Sequence, residues 1–298
     1  MTNALGKNIF IYQINGCHGG DIPKIVSDLK ACNFQSVILH STQATNWRTT
    51  ARVDLAKALQ AVGIAVFGGC AVYGADSYGE GTNAGQLCSE FNLSGWVFDA
   101  ESAFDVCDHP DSAAVHVLQE FSSHAQAGAL KGWCWWCFPH AISRPTVEYH
   151  PIKILKAAMA AGYGDADFGV PMMYWSWGDD PASVIRYINA SWSQWREITN
   201  KPIVPAGRAY IGDGGTPTPE SIIAFEKRAR ELGAVGVTWW SMQHALDAEH
   251  LPEVWNTLAA LKSFGEITPT PVPVPAPLTL EQRVSALETQ AKAHGWTI

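Results

Sequence analysis

The chain is poor in charged residues and has no long hydrophobic run. Only 16% of its 298 residues are charged, and Asp and Glu outnumber Lys and Arg by 28 to 20. Because its basic residues are neither in excess nor clustered, we expect no nucleic-acid partner. No run of 18 apolar residues occurs, and no basic segment followed by an apolar one opens the chain. We therefore predict neither a membrane partner nor a signal peptide, and synthesis in the cytoplasm.

The sequence also lacks the patterns of common cofactor sites. Seven cysteines form no disulfide framework, and Cys134 and Cys137 sit in a strand-like run where i and i+3 face opposite sides. No H-E-x-x-H, matched His and carboxylate set, Walker A or G-x-G-x-x-G sequence is present. We predict no metal and no other cofactor.

Tryptophan, in contrast, is abundant. The chain has 13 tryptophans, and 47% of its residues are hydrophobic, enough for a substantial core. Aromatic faces stack on the apolar faces of sugar rings as well as filling cores, so carbohydrate is the first ligand class to consider.

Short β-rich runs alternate with helical patterns along most of the chain. The predicted helices cover 22–32, 50–62, 83–91, 111–127, 151–161, 181–198, 218–232 and 251–262. The predicted strands are Ile9–Ile14, Ser36–Thr42, Ile64–Tyr73, Gly95–Glu101, Gly132–Phe138, Val170–Trp177, Ile203–Tyr210 and Val235–Met242.

Eight such units predict an α/β fold of the (β/α)8 TIM barrel type over residues 1–265. An open doubly wound sheet is the alternative, but the turn after the first strand, Asn15-Gly-Cys-His-Gly-Gly-Asp21, lacks its glycine spacing. Residues 266–278 form a Pro-rich linker, and residues 279–298 a short C-terminal helix with a heptad seam. We expect that helix to form a homo-oligomer; the alternative is a helix packed on the barrel.

The fourth predicted strand ends with two acids, Asp99 and Glu101. Side chains at i and i+2 of a strand share a face, so the carboxyl groups lie about 7 Å apart along the strand axis. One carboxylate raises the pKa of a neighbouring acid, which prepares a proton donor beside a charge stabiliser. The alternative is a salt-bridge partner and a helix cap. In a TIM barrel, catalytic residues follow strand ends, which favours the first interpretation.

Four strands carry short motifs that resemble those of family 18 glycoside hydrolases, the chitinases and their relatives. Phe98-Asp-Ala-Glu101 is similar to the end of that family's D-x-x-D-x-D-x-E signature. The other three are Val66-Phe-Gly-Gly69, similar to S-x-G-G, Met172-Met-Tyr174, similar to M-x-Y-D, and Gly236-Val-Thr-Trp-Trp-Ser-Met-Gln243, similar to G-V-M-x-W-S.

The chain also departs from that family. Val97 and Phe98 leave no room for the first acids of the signature, so only its last two acids are present. Trp175 replaces the Asp of the sixth-strand motif, and Phe67 replaces the Ser of the third-strand motif. Family 25 lysozymes are a second resemblance, because these barrels also end the fourth strand with D-x-E. They carry a first-strand Asp as well, whereas this chain has Tyr12-Gln-Ile-Asn15.

Both resemblances imply the same roles. Glu101 is expected to protonate the leaving glycosidic oxygen, and Asp99 to stay charged and stabilise the positive transition state. Tyr174 is expected to donate a hydrogen bond to a substrate carbonyl. The candidate substrate-binding residues are Trp240 as the floor of the sugar site, Trp135, Trp175 and Trp177 as platforms, and Gln243, Arg208, Tyr210 and His40 as partners of hydroxyl groups.

The resemblance implies a glycoside hydrolase acting on a polysaccharide that contains N-acetylhexosamine. Peptidoglycan is preferred over chitin because a barrel without a signal peptide, followed by a Pro-rich spacer and a heptad, resembles bacteriophage lysins. Such a protein acts on the cell wall once it is released or carried by a virion. The alternative is a non-catalytic carbohydrate-binding barrel or a structural virion component.

Overall fold

A computed structural model describes residues 6–138 and 164–264 of the chain. Eight parallel strands close into a barrel in sequence order, which confirms the predicted (β/α)8 fold. The predicted helix 151–161, the linker 266–278 and the helix 279–298 lie outside the described residues. The strands are β1 Gly6–Ile11, β2 Ser36–Ser41, β3 Ala65–Val72, β4 Gly95–Ala100, β5 Leu130–Trp136, β6 Phe168–Met172, β7 Ala206–Arg208 and β8 Gly236–Trp240.

Helices follow most strands in the described part of the chain, and several begin at a polar capping residue. The side chains of Asp21, Thr49, Asp76, Asp180 and Thr218 each accept a hydrogen bond from a backbone N–H of the first helical turn. The helices are α1 Ile22–Ala31, α2 Thr50–Ala61, α3 Ser77–Glu90, α4 Ser102–Asp105, α5 Pro110–His124, α6 Pro181–Ile198, α7 Pro219–Glu231, α8 Met242–Ala245 and α9 Val254–Ala260. None of them is long and apolar enough to cross a membrane.

Two predicted elements differ from the observed ones for identifiable reasons. Helix α3 begins at Ser77 rather than at residue 83, and glycines within it pack against a neighbouring helix. A Cβ on Gly81 would lie 2.3 Å from the Val117 carbonyl of α5, so glycine permits the close contact between α3 and α5. Strand β7 is shorter than predicted, and Pro205 immediately before it has no N–H for the ladder.

Alternate residues of each strand fill the barrel, and the others face the helices. The inward set includes Phe10, Ile38, Phe67, Val97 and Phe168. The largest fully buried side chains include seven tryptophans: Trp47, Trp96, Trp133, Trp135, Trp175, Trp195 and Trp239. Much of the tryptophan content is therefore spent on packing, which weakens the compositional argument for carbohydrate.

Candidate active site

Asp99 and Glu101 stand together at the C-terminal end of β4. Val97 belongs to the barrel core, and alternation along the strand places Asp99 one pleat above it, where it is only 6% exposed. Glu101 directly follows the strand and is exposed. It occupies the N-cap position of α4, yet its side chain makes no capping hydrogen bond. The capping alternative is therefore not supported.

The turn that carries Glu101 is fixed to the neighbouring strand by Asp105. This fully buried carboxylate ends α4 and accepts two indole N–H bonds, from Trp135 at 2.8 Å and from Trp136 at 2.6 Å. Hydrogen bonds to a charged group are stronger than neutral ones, so this double contact holds α4 against β5. Sequence reasoning missed Asp105, although an acid four residues after Glu101 was visible.

Aromatic rings line the β1, β2 and β8 side of the same end of the barrel. The half-buried Trp240 ring lies 5.1 Å from the Phe10 ring and 5.4 Å from the His40 ring, and Tyr12 lies 5.7 Å from His40, as distances between ring centres. We call the surface formed by Asp99, Glu101, Tyr174 and Trp240 the barrel mouth. Trp240 thus lies where the sequence analysis expects the floor of a sugar site.

Tyr174 follows β6 and lies on the other side of the barrel mouth. Burial, followed by the nearby Cys134 thiol and the Asp99 carboxylate, raises the pKa of Tyr174 well above its usual value. Its hydroxyl therefore stays protonated near neutral pH and can donate a hydrogen bond. The influence of Asp99 and Glu101 on this group places Tyr174 near both predicted catalytic acids.

Tyr210 and Gln243, two predicted partners of sugar hydroxyls, also lie at this end. The Tyr210 ring packs edge-on against Tyr174, 5.6 Å between ring centres, and its hydroxyl donates to the Asp213 carboxylate. The side-chain oxygen of Gln243 accepts a 3.4 Å hydrogen bond from the Tyr12 backbone N–H. Both groups thus have protein partners, and their roles toward a substrate remain predictions.

Two of the predicted sugar platforms are fully buried in the described structure. Trp135 is completely buried and packs edge-on against Phe104 and Trp133. Trp175 is also completely buried, packs on Phe225 and donates its indole N–H to Asp179 at 2.9 Å. Neither ring has a face open to a ligand, so both are packing residues.

Two predicted partners of sugar hydroxyls are also buried. Arg208 is 1% exposed; it contacts the Asp179 carboxylate and the Gly212 carbonyl, and its guanidinium lies over the Trp175 ring. His40 is 4% exposed and points toward Asp99 rather than toward solvent. A sugar could reach neither side chain without opening the protein.

Trp177 remains a candidate platform, and Trp136 joins it as a residue that sequence reasoning missed. Trp177 is 49% exposed and stacks on Phe138 with 5.4 Å between ring centres and 11° between ring planes. Trp136 packs against the barrel core and is only half-buried. Strand parity, with Cys134 facing inward, could have selected Trp136 over Trp135.

Comparison with known proteins gives matches among solved structures only. No protein-family model matches the sequence, and no curated relative is found. A family 18 chitinase from Pseudoalteromonas aurantia aligns with a TM-score of 0.60 and 13% identity, over 85% of this chain and 99% of the other. The two proteins share the (β/α)8 barrel fold.

Two further structures show the same architecture at equally low identity. The spore cortex-lytic enzyme SleL of Bacillus cereus aligns with a TM-score of 0.57 and 12% identity, over 85% of this chain and 73% of its own. A class V chitinase from Nicotiana tobaccum aligns with a TM-score of 0.58 and 9% identity, over 85% and 99%. These likenesses support the first of the two resemblances at the level of the fold.

Among the residues that the structure describes, no group of three His, Cys, Asp or Glu side chains could hold a metal ion.

Proposed function

We propose that this protein is a glycoside hydrolase that cleaves a polymer containing N-acetylhexosamine, with peptidoglycan as the preferred substrate and chitin as the second. The observation that carries the proposal is the position of Asp99 and Glu101 at the end of β4, one buried and one exposed, in the same barrel mouth as Tyr174 and Trp240. Structures with this fold include chitinases and a cortex-lytic enzyme, which supports that substrate class.

Glu101 is the proton donor in this proposal. Its side chain starts beyond the end of the strand and is exposed, so a bound polysaccharide can bring a glycosidic oxygen to it. A general acid in the protonated form gives its proton to that oxygen as the bond to the sugar breaks. The rigid link of Asp105 to Trp135 and Trp136 keeps the turn that carries Glu101 in place.

Asp99 and Tyr174 act on the sugar rather than on the leaving group. A buried carboxylate next to the reacting carbon stabilises positive charge that develops in the transition state, because the low local dielectric strengthens the interaction. The protonated Tyr174 hydroxyl donates to a carbonyl such as that of an N-acetyl group, and Trp240 offers an aromatic face below the ring. The protein's own groups thus supply a donor, a charge stabiliser and an orienting hydrogen bond.

The test is an assay of new reducing ends on purified peptidoglycan and on chitin oligosaccharides. Wild-type protein should release product, and Glu101→Gln should release at least about 100-fold less, because the amide cannot donate a proton as an acid does. Glu90→Gln provides the matched control, since Glu90 is an exposed acid paired with Arg48 at the end of α3. Equal activity in wild type and Glu101→Gln would refute the assignment.

One observation favours a second candidate function, a carbohydrate-binding barrel without catalysis. The position one pleat below Asp99 holds Val97, a core residue, so the strand offers only two acids to the barrel mouth. Binding of oligosaccharide by the wild type without product on either substrate would select this candidate.

A virion-associated lysin remains the more specific form of the proposal. The Pro-rich segment 266–278 and the heptad segment 279–298 support it by analogy, since they resemble the spacers and helices of such enzymes. Sedimentation of the full chain and of a chain ending at residue 265 would test whether the C-terminal segment forms a homo-oligomer.

A further inference from the structure

Asp99 poses an electrostatic problem at the barrel mouth. Asp99 is only 6% exposed, and among the described residues its Oδ1 atom has no hydrogen-bond partner. A buried carboxylate oxygen without a donor is unfavourable. A neighbouring group that donates a hydrogen bond to this carboxylate would therefore stabilise it and fix the direction in which it faces the sugar.

The titratable groups around the Asp99 carboxylate come from several strands. Cys70 on β3, Cys134 on β5 and Tyr174 after β6 interact with it, and burial is the largest cause of the raised pKa of each. Glu101 is itself an acid, and Tyr12 after β1 is a phenol. None of these five groups can become a cation.

His40 on β2 is the group that can offset the charge. Its Nε2 atom lies 3.2 Å from Oδ2 of Asp99, within ion-pair distance but without the angle of a directed hydrogen bond. Both ring nitrogens of His40 lack hydrogen-bond partners among the described residues. The imidazole can therefore turn toward Asp99 without breaking another hydrogen bond.

The surroundings hold His40 at this place. The guanidinium of Arg52, from α2, donates to the His40 backbone carbonyl at 3.2 Å. The ring is enclosed by the aromatic rings of Phe10, Tyr12 and Trp240 at 5.4 to 6.0 Å between centres. On the neighbouring strand stands Gly69, where a Cβ would lie 3.3 Å from the His40 ring. The arrangement leaves room for an imidazole and restricts it to the side of Asp99.

We propose that His40 is a positioning residue whose imidazole N–H fixes the orientation of the Asp99 carboxylate beneath Glu101. His40 acts through Asp99 and does not touch the sugar. This proposal deepens the proposed function and rests on it, because the benefit of a well-oriented Asp99 is a faster glycosidic cleavage. The pairing itself is a property of the folded protein and can be tested without substrate.

The first test is kinetic, with the leucine and glutamine variants of His40 assayed on the better of the two polysaccharides. His40→Leu removes the donor and should lower kcat by about 10- to 100-fold with KM within about twofold. His40→Gln places an amide N–H near the position of Nε2 and should recover kcat to within about fivefold. A merely structural role would lower the amount of folded protein, and the amide N–H of His40→Gln would not restore kcat.

The second test needs no activity. In full-length protein labelled with ¹³C, the carboxyl signal of Asp99, assigned by its loss in Asp99→Asn, should move at pH 7 in His40→Leu and return toward its wild-type position in His40→Gln. A signal that does not move overturns the pairing, whether or not the protein hydrolyses anything. A signal that moves and returns in a protein without activity would keep the pairing and reject the proposed function.

Two further variants keep the test decisive. If His40→Leu does not fold, His40→Asn replaces it, because its shorter amide does not reach the Nε2 position, and it should move the Asp99 carboxyl signal in the same way. His124→Asn serves as the matched control, since His124 is a histidine 3.7 Å from Glu120 on the outside of the barrel. A similar shift in the control would overturn the proposal, because it would show an effect unrelated to the pair.

Discussion

The two ends of the barrel interior treat buried polar groups in opposite ways. At the N-terminal ends of the strands, Asn8 donates to Ser36 at 2.6 Å and accepts from Thr238 at 2.7 Å. Nearby, the Lys7 ammonium donates to three backbone carbonyls, those of Cys32, Ala259 and Leu261. At the C-terminal ends, His40 and Asp99 are as deeply buried but have unpartnered nitrogen and oxygen atoms within the described chain.

This difference separates groups that stabilise the fold from groups kept for another purpose. Each polar atom buried without a hydrogen bond costs about 1 to 3 kcal/mol, so a fold that needs only stability satisfies such atoms or replaces them. The N-terminal end follows that rule. The barrel mouth departs from that rule at Asp99 and His40. Buried polar groups without hydrogen-bond partners often occur at functional sites.

Asp99→Asn should break the comparison most strongly. We expect catalytic activity to fall by about a thousandfold, because the variant loses the negative charge that stabilises the transition state. The free energy of unfolding should stay within about 1 kcal/mol of the wild type, since asparagine keeps the size of the buried side chain and the Oδ1 atom of Asp99 has no hydrogen-bond partner to lose. Rate assays and urea unfolding of the same preparations measure both quantities.

Asn8→Val is the counterpart of Asp99→Asn at the N-terminal end. It removes the two hydrogen bonds to Ser36 and Thr238 and should lower the free energy of unfolding by about 1 to 3 kcal/mol while kcat stays near wild type. If Asp99→Asn instead lost stability and kept its activity, the assignment of the barrel mouth as the catalytic end would be wrong.

The sequence predicted the fold far better than it predicted the site. Eight repeated units of a near-continuous apolar strand and a helix are enough to predict a barrel. Because catalytic residues of such barrels follow the strands, the sequence also predicts the position of Asp99 and Glu101 at the C-terminal end of β4. Which tryptophan of a run faces inward depends on a parity of one residue. That is why Trp135 was predicted where Trp136 stands.

Contacts between distant parts of the chain were beyond sequence reasoning. In the sequence, Arg208 is a cation at a strand end with no visible partner. In the structure it binds Asp179, which follows a different strand. The contact of His40 with Asp99 joins two strands, β2 and β4, that are far apart in the sequence. Neither partner has a local pattern that announces the other, so only the closed barrel reveals them.

Lys7, at the N-terminal end of the barrel, should make the free energy of unfolding depend on pH. Burial lowers the pKa of Lys7 from 10.5 to about 8. Between those values the unfolded chain binds a proton that the folded protein does not, so the stability contributed by Lys7 rises with pH in this interval. It is complete above pH 10.5 and is lost as the pH falls through 8.

The measurement compares wild type with Lys7→Met by urea unfolding at pH 7.5 and pH 10.5. The difference in the free energy of unfolding between the two proteins should change by about 3 kcal/mol in favour of the wild type as the pH rises. Other titrating groups affect both proteins alike and cancel in this difference. A constant difference would mean that the pKa of Lys7 is the same in the folded and the unfolded protein, which would contradict the prediction.

Two stacked aromatic pairs give the smallest and most local contrast between the ends. Trp177 stacks on Phe138 beside the barrel mouth, and Trp255 of α9 stacks on Phe34 near the opposite end, with 5.4 and 5.9 Å between ring centres. Trp177→Ala should raise KM about fivefold, because it removes an exposed face on which a sugar can stack, and leave kcat within about twofold.

Trp255→Ala should do the reverse, lowering the free energy of unfolding by about 2 kcal/mol or more with KM unchanged, since its half-buried ring contacts protein. The same substitution in the same kind of stack thus separates a surface kept for a ligand from one used for packing. If both variants changed only stability, Trp177 would be a packing residue, and the substrate would have to bind through Trp240 and Trp136 alone.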